Sequence, residues 1–293
     1  DAALLRMGDV SQLLSTDHLR AFCDDPVLMT KIAAVHALGD IYSMGAAPQA
    51  ALVSLVLPRM SSALQERTLS EIMQTASDVM QDAGAQIIGG HTSMGAEFTI
   101  GFSVTGIAKN TPISLGGAKA GDVLLLTKPI GTGVILAAEM QMRARGGDVA
   151  AAYESMSRPL RLDAEALSNA HAMTDVTGFG LAGHLANICR ASKVGAILNV
   201  NAVPLLNGAQ ELSAADVQSS LYPDNLSDAL TMMNEPQTAR GRLMLDPQTA
   251  GGLLAALSKE EAEKAIEELA QNGIRAVQIG MITDQSRRLE LVE

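Results

Sequence analysis

The sequence contains no tryptophan, and aromatic residues make up only 2% of its 293 residues. Proteins that bind single-stranded nucleic acid stack bases on aromatic side chains, so this composition disfavours that class. Basic residues are also few, because 21 Lys and Arg stand against 32 Asp and Glu, for a net charge of −11. Binding to a phosphate backbone depends on clustered Lys and Arg, so we expect no nucleic-acid partner. An acidic protein can still bind a nucleotide when metal ions neutralise the phosphates.

Cysteines and long apolar runs are also scarce. Cys23 and Cys189 are the two cysteines, and their spacing fits neither a zinc site nor a redox C-x-x-C motif. No apolar run approaches the roughly 20 residues of a membrane span, and no signal peptide is visible. We therefore expect a cytoplasmic, disulfide-free protein without a membrane partner. The chain opens with "DAALL" and no Met, so we expect the natural N-terminus to lie upstream.

The chain is long enough for about two domains, and its apolar content of 47% indicates a globular protein. Asp24 and Asp25 before Pro26 predict a helix start, Ser61 or Ser62 predicts a second, and Ser258 precedes a third, charged helix. Strands and helices mix without strict alternation in both halves. We therefore predict an α+β protein of two α/β-mixed domains rather than one doubly wound sheet. The polar, glycine-containing segment 109–121 predicts a boundary, which gives domains 1–110 and 111–293.

Three local patterns carry specific structural predictions. The run "AALVSLVL" predicts a buried strand, and "AQIIGG" predicts a short strand that ends in a glycine turn. The segment "RLMLDPQTAGGLLAAL" predicts a strand, a glycine turn and another strand. The apolar segments "AALVSLVL" and "EFTIGFSVTGIA" are also expected to need cover from a second subunit, which favours a homodimer built through the first third of the chain.

The stretch "TDVTGFGLAGHL" contains Gly178, Gly180 and Gly183 in the G-x-G-x-x-G spacing of a dinucleotide-binding turn. That fingerprint requires a buried strand before the first glycine and an acidic residue about 20 positions later. The preceding "NAHAMTDVT" is too polar for such a strand, and "NVNAVPLL" downstream contains no acid, so the pattern argues against dinucleotide binding. Asp175 or Thr177 could cap the following helix, or Asp175 could bind a metal ion.

Other acidic residues lie in positions suited to binding an ion. Asp40 lies in an otherwise apolar helix, where a lone carboxylate is costly unless it is paired or metal-bound. His36, one turn earlier, could be its partner. Asp17 follows a short apolar stretch, and "GGHT" at 89–92 suits backbone contact with a phosphate. Several carboxylates among glycine turns indicate a site where Mg²⁺ ions hold a polyphosphate.

Seven motifs in this order resemble selenophosphate synthetase, also called selenide, water dikinase, of the aminoimidazole ribonucleotide synthetase-like superfamily. They are "DAAL" at 1–4, "STD" at 15–17, "KIAAVHALGDIYSMGA" at 31–46, "GGHT" at 89–92, "LTKPIGTGV" at 126–134, "MTDVTGFGLAGHL" at 173–185 and "DPQTAGGLL" at 246–254. The resemblance covers nearly the whole chain. It implies a two-domain fold with an N-terminal ATP-binding and dimerisation domain, and the conversion of ATP, selenide and water to selenophosphate, AMP and phosphate.

The resemblance also implies roles for individual residues. Asp1, Asp40 and Asp175 match the magnesium-binding carboxylates of the family. Its ATP-contacting positions correspond to Asp17, Asp40, Gly90, His91 and Thr92. The implied substrates are ATP and selenide, the implied cofactor is Mg²⁺, and the implied assembly is a homodimer.

The chain departs from the family at its start. The family carries a glycine-rich N-terminal segment with a catalytic Cys or selenocysteine and a Lys, and nothing here matches it. We therefore expect the catalytic residues to lie upstream of residue 1, and we expect this chain to bind ATP better than it turns it over. Two other functions remain open: another ATP-dependent small-molecule kinase or synthetase of the superfamily, and a non-catalytic nucleotide-binding paralogue.

Overall fold

The structure is a computed structural model that describes residues 1–8, 10–286 and 288–293. It contains two compact units: Asp1–Pro112 together with Ser157–Arg161, and Ile113–Met156 together with Leu162–Glu293. Both units contain helices and sheets, which confirms the predicted α+β class of two mixed domains. The boundary between residues 110 and 111, as a division into independently folding domains, stays a prediction.

The N-terminal unit is built on a five-stranded sheet with two helices. Its strands lie in the order β1-β2-β5-β3-β4, and β3 pairs with β4 in parallel while the other pairs are antiparallel. The elements are β1 (Ala3–Met7), β2 (Val10–Arg20), α1 (Pro26–Ser43), β3 (Ala47–Pro58), α2 (Ser62–Asp82), β4 (Gln86–Gly95) and β5 (Thr99–Ala108).

Both helices of this unit begin at the predicted caps. The Asp25 carboxylate accepts from the backbone N–H groups of Val27 and Leu28, which confirms the start of α1. Ser61 accepts from the N–H of Leu64 at the start of α2. These caps satisfy donors that have no partner within the helix, so they define where each helix begins.

Only one face of the first sheet is buried. In β3, Ala51 and Val53 are buried, whereas Leu52 between them is 46% exposed. Successive side chains of a strand point to opposite faces, so this alternation marks one covered and one open face. The prediction that "AALVSLVL" is a buried strand is therefore half wrong: the strand exists, but only alternate residues enter the core.

The C-terminal unit contains a six-stranded sheet in the order β11-β8-β10-β6-β9-β7. Its strands are β6 (Val123–Leu126), β7 (Ala172–Asp175), β8 (Gly195–Asn199), β9 (Leu253–Leu257), β10 (Val277–Thr283) and β11 (Leu289–Val292). The helices from residue 132 onward are α3 (Thr132–Met140), α4 (Gly146–Ser157), α5 (Arg161–Ala166), α6 (Gly180–Ser192), α7 (Ala209–Ala214), α8 (Tyr222–Ala229), α9 (Ala239–Arg242) and α10 (Lys259–Gln271).

Two of the local predictions are wrong. The segment "RLML" is not a strand, because it ends α9 and continues as a 3₁₀ turn over Leu243–Leu245. The cap of Thr238, whose hydroxyl accepts from the N–H of Gly241, starts a helix that the apolar spacing did not indicate. The glycines of "IIGG" do not end a strand either, because β4 continues through them to Gly95. Pairing with β3 overrides the local turn preference of the glycines.

Within the part of the chain that the structure describes, no helix has both the length and the apolar character needed to cross a bilayer.

Candidate functional site

Three of the predicted site residues belong to neighbouring elements of the N-terminal unit. Asp1 lies two residues before the start of β1, Asp17 lies on β2, and Asp40 lies in the last turn of α1. Asp17 follows the fully buried Leu13 by four residues on β2. Since alternate side chains of a strand lie on the same face, the side chain of Asp17 points to the helix-covered face. The sheet and α1 therefore bring carboxylates from three separate sequence segments to one side of the sheet.

Serine hydroxyls orient two of these carboxylates. The Ser43 hydroxyl donates to Oδ2 of Asp1 across 3.0 Å, and the Ser15 hydroxyl donates to Oδ2 of Asp40. Carboxylate oxygens of Asp1 and Asp40 lie within 4.8 Å of each other. Neither serine was singled out in the sequence, although Ser15 belongs to the "STD" motif and Ser43 follows Asp40 by three residues, so it is adjacent on the helix surface.

The electrostatics of this cluster disfavour a further negative charge. Burial, together with the nearby charge of Asp40, raises the pKa of Asp17 to about 6. Nε2 of His36 lies 4.0 Å from Oδ1 of Asp17, which places the imidazole beside the same carboxylate. Like charges held together at a partly buried position cost free energy unless a cation compensates them.

The donor atoms of this cluster fit a hard divalent cation. Asp1 and Asp40 offer carboxylate oxygens, which are the ligands that Mg²⁺ prefers, and Asp1 is exposed on the surface while Asp40 is half-buried. A site with few protein ligands and an open side leaves positions for water and substrate phosphate. The residues present therefore fit the magnesium site that the resemblance implies.

The residues Gly90, His91 and Thr92 lie on β4, an edge strand of the same sheet. Asp17 pairs with Phe102, Phe102 with Val53, and Val53 with Gly90, so Asp17 and Gly90 are separated by three strand spacings, roughly 14 Å. This span is of the order of a nucleoside triphosphate, and the segment does not contact the carboxylates directly. A Cβ at Gly90 would lie 2.2 Å from the carbonyl oxygen of Val53, so only glycine permits this pairing.

Asp175 lies in the C-terminal unit as the last residue of β7, where it is buried. The N-cap of the following helix α6 is Phe179, whose own side chain makes no capping hydrogen bond. Neither Asp175 nor Thr177 is therefore the N-cap residue of α6.

A buried histidine holds the backbone on both sides of Asp175. The N–H of Thr177 donates to Nε2 of His184 across 2.9 Å, so Nε2 carries no proton and the neutral ring is protonated at Nδ1. Nδ1 then donates to the Thr174 hydroxyl across 3.3 Å, and this hydroxyl donates to the carbonyl of Asp175. Burial lowers the pKa of His184 to about 4, in agreement with a neutral ring.

The dinucleotide interpretation is excluded, but not for the reason that the sequence suggested. The polar stretch before Gly178 does contain a strand, β7, so that part of the sequence argument was wrong. However, among the described strands β7 pairs only with β9, antiparallel, at the edge of the sheet, and β8 lies four positions away. A Rossmann unit requires parallel strands joined by the helix. Gly180, with φ of +70°, instead permits close packing, because a Cβ there would lie 2.7 Å from the backbone of Leu245.

The sequence also failed to show that "TKPIGTG" and "DPQTAGG" form one buried polar network. Oε1 of Gln248 accepts from the N–H groups of Gly131 and Thr132 at 2.8 and 3.0 Å. The buried Asp246 carboxylate accepts from the next two N–H groups, those of Gly133 and Val134, and burial raises its pKa to about 7. Two residues of one motif therefore cap helix α3 of the other. The sequence feature that could have indicated this network is the triplet Asp-Pro-Gln, which lies before glycines in an otherwise apolar segment.

Lys128 lies at the end of β6 in the same network and is buried. Its Nζ donates to the carbonyl of Ala250 across 2.9 Å. A Cβ at Gly252 would lie 2.5 Å from the backbone nitrogen of Lys128, so the two motifs approach closely at this point.

Solved structures of several enzymes resemble the chain in fold. E. coli HypE matches with a TM-score of 0.75 at 18% identity, over 96% of this chain and 82% of that one. Thiamine monophosphate kinase from Aquifex aeolicus matches with a TM-score of 0.72 at 14% identity, over 99% and 90%. At these identities the likeness shows a shared fold.

Sequence comparison is more specific. A protein of Shewanella baltica named selenide, water dikinase is 34% identical over 299 residues, which cover all of this chain and 84% of the relative. The protein of that name from Geobacter metallireducens is 35% identical over 96% of this chain and 83% of the relative. Residues 1–108 match the AIR synthase related protein, N-terminal domain, and residues 119–291 match the C-terminal domain. The chain therefore belongs to the AIR synthase related protein family, alongside relatives named selenide, water dikinase.

Proposed function

We propose that this protein synthesises selenophosphate from ATP, selenide and water, with release of AMP and phosphate. The observation that carries the proposal is the identity of 34% to selenide, water dikinase of Shewanella baltica across the whole chain. The carboxylate cluster around Asp40 supports it, because the site has the ligand type required to hold a metal-bound polyphosphate. HypE, which has the same fold, has been solved in complex with ATP.

Asp1, Asp40 and Asp175 are the residues that would hold Mg²⁺. When bound, Mg²⁺ screens the negative charge of the triphosphate and stabilises the charge that develops during phosphoryl transfer. Ser43 and Ser15 hold the carboxylates of Asp1 and Asp40 in fixed orientations, so less ordering is needed when a ligand binds. His184 fixes the backbone on both sides of Asp175 in the same way.

Asp17, Asp40, Gly90, His91 and Thr92 are proposed to contact ATP. Asp17 lies beside Asp40, whereas Gly90, His91 and Thr92 lie three strand spacings away on the edge strand β4, so the contacts would come from two parts of the N-terminal unit. The raised pKa of Asp17, which burial and the charge of Asp40 cause, means that a triphosphate at this position would need a cation to offset the negative charge already there.

We also propose a homodimer formed through the N-terminal unit. The face of the first sheet opposite its helices exposes Leu14 and Leu52. A second copy that covers these side chains would bury apolar surface that the unit leaves in water.

Nucleotide product analysis tests the proposed reaction. The protein as the cell makes it is incubated with Mg²⁺ and ATP, with selenide, with thiamine monophosphate or with no acceptor, and the nucleotides are separated by chromatography. We expect AMP to form at a rate that depends on selenide. ADP that forms with thiamine monophosphate would instead assign the chain to another kinase of the superfamily. Nucleotide that binds but is never cleaved under any condition would identify a non-catalytic paralogue.

A further inference from the structure

Three polar side chains of the C-terminal unit form a linear cluster outside the sites described above. Nδ1 of His171 lies 2.9 Å from Oδ2 of Asp122, and Nε2 of the same ring lies 3.0 Å from Nζ of Lys119. Asp122 is buried, His171 is partly exposed and Lys119 is exposed. The order is therefore a buried carboxylate, an imidazole and a solvent-accessible amine.

The bonding partners determine where the protons lie. The ammonium group of Lys119 is only a donor, so Nε2 of His171 must accept and carries no proton. The neutral ring is then protonated at Nδ1, which donates to the carboxylate of Asp122. An imidazole whose Nδ1 proton is held by a carboxylate presents a basic Nε2 to its other neighbour. Here that neighbour is a primary amine.

The cluster is held by backbone hydrogen bonds, so its geometry does not depend on long side chains alone. The N–H of Lys119 donates to Oδ2 of Asp122, and the N–H of Asp122 returns a bond to the carbonyl of Lys119. The carbonyl of Asp122 accepts from the N–H of Ile282 on β10, and the N–H of His171 donates to the carbonyl of Ala256 on β9. Asp122 and His171 are thus fixed to β10 and β9, two strands of the sheet in the C-terminal unit.

A nucleophile in hydrogen-bond contact with a base that a third group orients is the arrangement that activates a lysine amine. Transfer of one proton from Nζ to Nε2 gives a neutral amine and an imidazolium ion paired with Asp122, without any change in the net charge of the cluster. The neutral amine is the nucleophilic form of lysine. An exposed lysine without such a base must release its proton to water before it can react.

We propose that Lys119 is a site of acylation by small activated acyl donors of the acyl phosphate class. The lone pair of Nζ attacks the acyl carbon, and a nitrogen–carbon bond forms. The bond between that carbon and the phosphate oxygen then breaks, and phosphate leaves with the bonding electron pair. His171 holds the first proton from the amine, and the second proton of the reacting nitrogen passes to solvent. No oxidation or reduction takes place.

Acylation would change the local structure in a defined way. The amide nitrogen that forms is no longer charged, so the contact of the Lys119 ammonium group with Nε2 of His171 is lost. Lys119 lies in the segment 109–121 that precedes β6, so the modification would remove a positive charge and a hydrogen bond from this connecting segment.

Peptide mass spectrometry after incubation of the full chain with acetyl phosphate tests the proposal. Lys109 and Lys193 are exposed in the same protein and serve as internal controls. We expect Lys119 to be acetylated about a hundredfold faster than either control, which is the low end of what a positioned base contributes. Equal rates at the three lysines would overturn the proposal.

The variant His171→Gln separates base catalysis from simple exposure. Glutamine can accept a hydrogen bond but cannot take a proton at neutral pH, so the rate at Lys119 should fall to that of Lys109 while the rates at both controls stay unchanged. An unchanged rate at Lys119 in a folded variant would contradict the assigned role of His171. If the variant does not fold, which a circular dichroism melt would show, the comparison of lysines in the unmodified sequence still decides the matter.

Discussion

The backbone N–H of Thr177 donates to Nε2 of His184 across 2.9 Å, and this single bond sets the protonation of the ring. The same imidazole reaches Thr174 through Nδ1, so it bridges the residues on both sides of Asp175. Because both bonds lie in the protein interior, the loop after β7 is held by a neutral histidine that cannot be protonated without losing the bond to Thr177.

This arrangement predicts a pH dependence of stability. The pKa of His184 is lowered by burial from 6.5 to about 4, so between these values the unfolded chain binds a proton that the folded protein does not. The contribution of His184 to the free energy of unfolding is therefore complete above pH 6.5. It falls by roughly 3 kcal/mol in total as the pH decreases to about 4. Urea unfolding of the protein and of His184→Gln across this window measures the difference.

The difference in unfolding free energy between the two proteins should shrink as the pH falls, because glutamine does not titrate. His184→Leu, which also removes the acceptor for the N–H of Thr177, should be less stable than His184→Gln at neutral pH. A constant difference between the protein and His184→Gln throughout the window would show that His184 takes up its proton as readily in the folded state as in the unfolded chain, which would contradict the lowered pKa.

Gln248, which is not one of the proposed metal ligands, predicts a large effect of substitution on stability. Its Oε1 accepts from two backbone N–H groups and from the hydroxyl of Thr132, all of them buried. Gln248→Met keeps the chain length and removes the acceptor, which leaves buried donors unsatisfied at the start of α3. We expect a loss of roughly 2–4 kcal/mol in unfolding free energy, measured with urea.

Gln237→Met is the matched control. Gln237 is exposed, and its amide donates to the carbonyl of Glu235, two residues away. The control should change the unfolding free energy by less than about 0.5 kcal/mol. Equal effects of the two substitutions would mean that the "DPQ" motif does not cap α3 in solution.

The elements that could be predicted from the sequence are those with a local physical cause. Asp25, Ser61 and Ser258 start helices because each side chain accepts from backbone groups two or three residues later. The long amphipathic helices follow from the same local chemistry. The cluster of Asp17 and Asp40 could also be predicted from the sequence, since a carboxylate in an apolar helix requires a partner or an ion.

The features that could not be predicted depend on pairing between distant segments. Gly90 lies inside a strand because β3 provides the hydrogen bonds, and nothing within "IIGG" indicates this partner. Gln248 caps a helix that lies more than a hundred residues earlier in the chain. The position of β7 at the edge of its sheet, which excludes the dinucleotide interpretation, is likewise a property of the topology.

The proposed metal ligands predict a specific loss of ATP binding. Asp40→Asn or Asp175→Asn removes one negative charge and keeps the shape of the side chain, so Mg²⁺-dependent binding should be abolished while the fold is retained. Titration calorimetry with ATP in the presence of Mg²⁺ measures this, and EDTA should abolish the binding to the unmodified protein. NADH should not bind under the same conditions.

Asp82→Asn, at an exposed position at the end of α2, is the control and should leave the affinity unchanged. Unchanged affinity in both Asp40→Asn and Asp175→Asn would refute the metal assignment. Heat released by NADH, with none from Mg²⁺ and ATP, would reject the nucleotide assignment altogether.

The open face of the first sheet predicts the oligomeric state. Leu52 is 46% exposed in the middle of β3, so Leu52→Lys should place a charge in the proposed dimer interface and shift the protein to a monomer. Leu64 is exposed to a similar extent, 44%, but lies on α2, and Leu64→Lys should leave the dimer intact. Sedimentation velocity at micromolar concentration distinguishes these species. A folded monomer for the unmodified protein would contradict the proposal.

The most direct test of the proposed function is the detection of a bond between phosphorus and selenium. The protein as the cell makes it is incubated with Mg²⁺, ATP and selenide that is enriched in the magnetic selenium isotope, and the reaction is followed by phosphorus NMR. We predict a new phosphorus resonance that is split by coupling to selenium and grows in proportion to AMP, and that is absent with Asp40→Asn. Formation of AMP or ADP without any selenium-coupled resonance would contradict the assignment of this protein as a selenophosphate-forming enzyme.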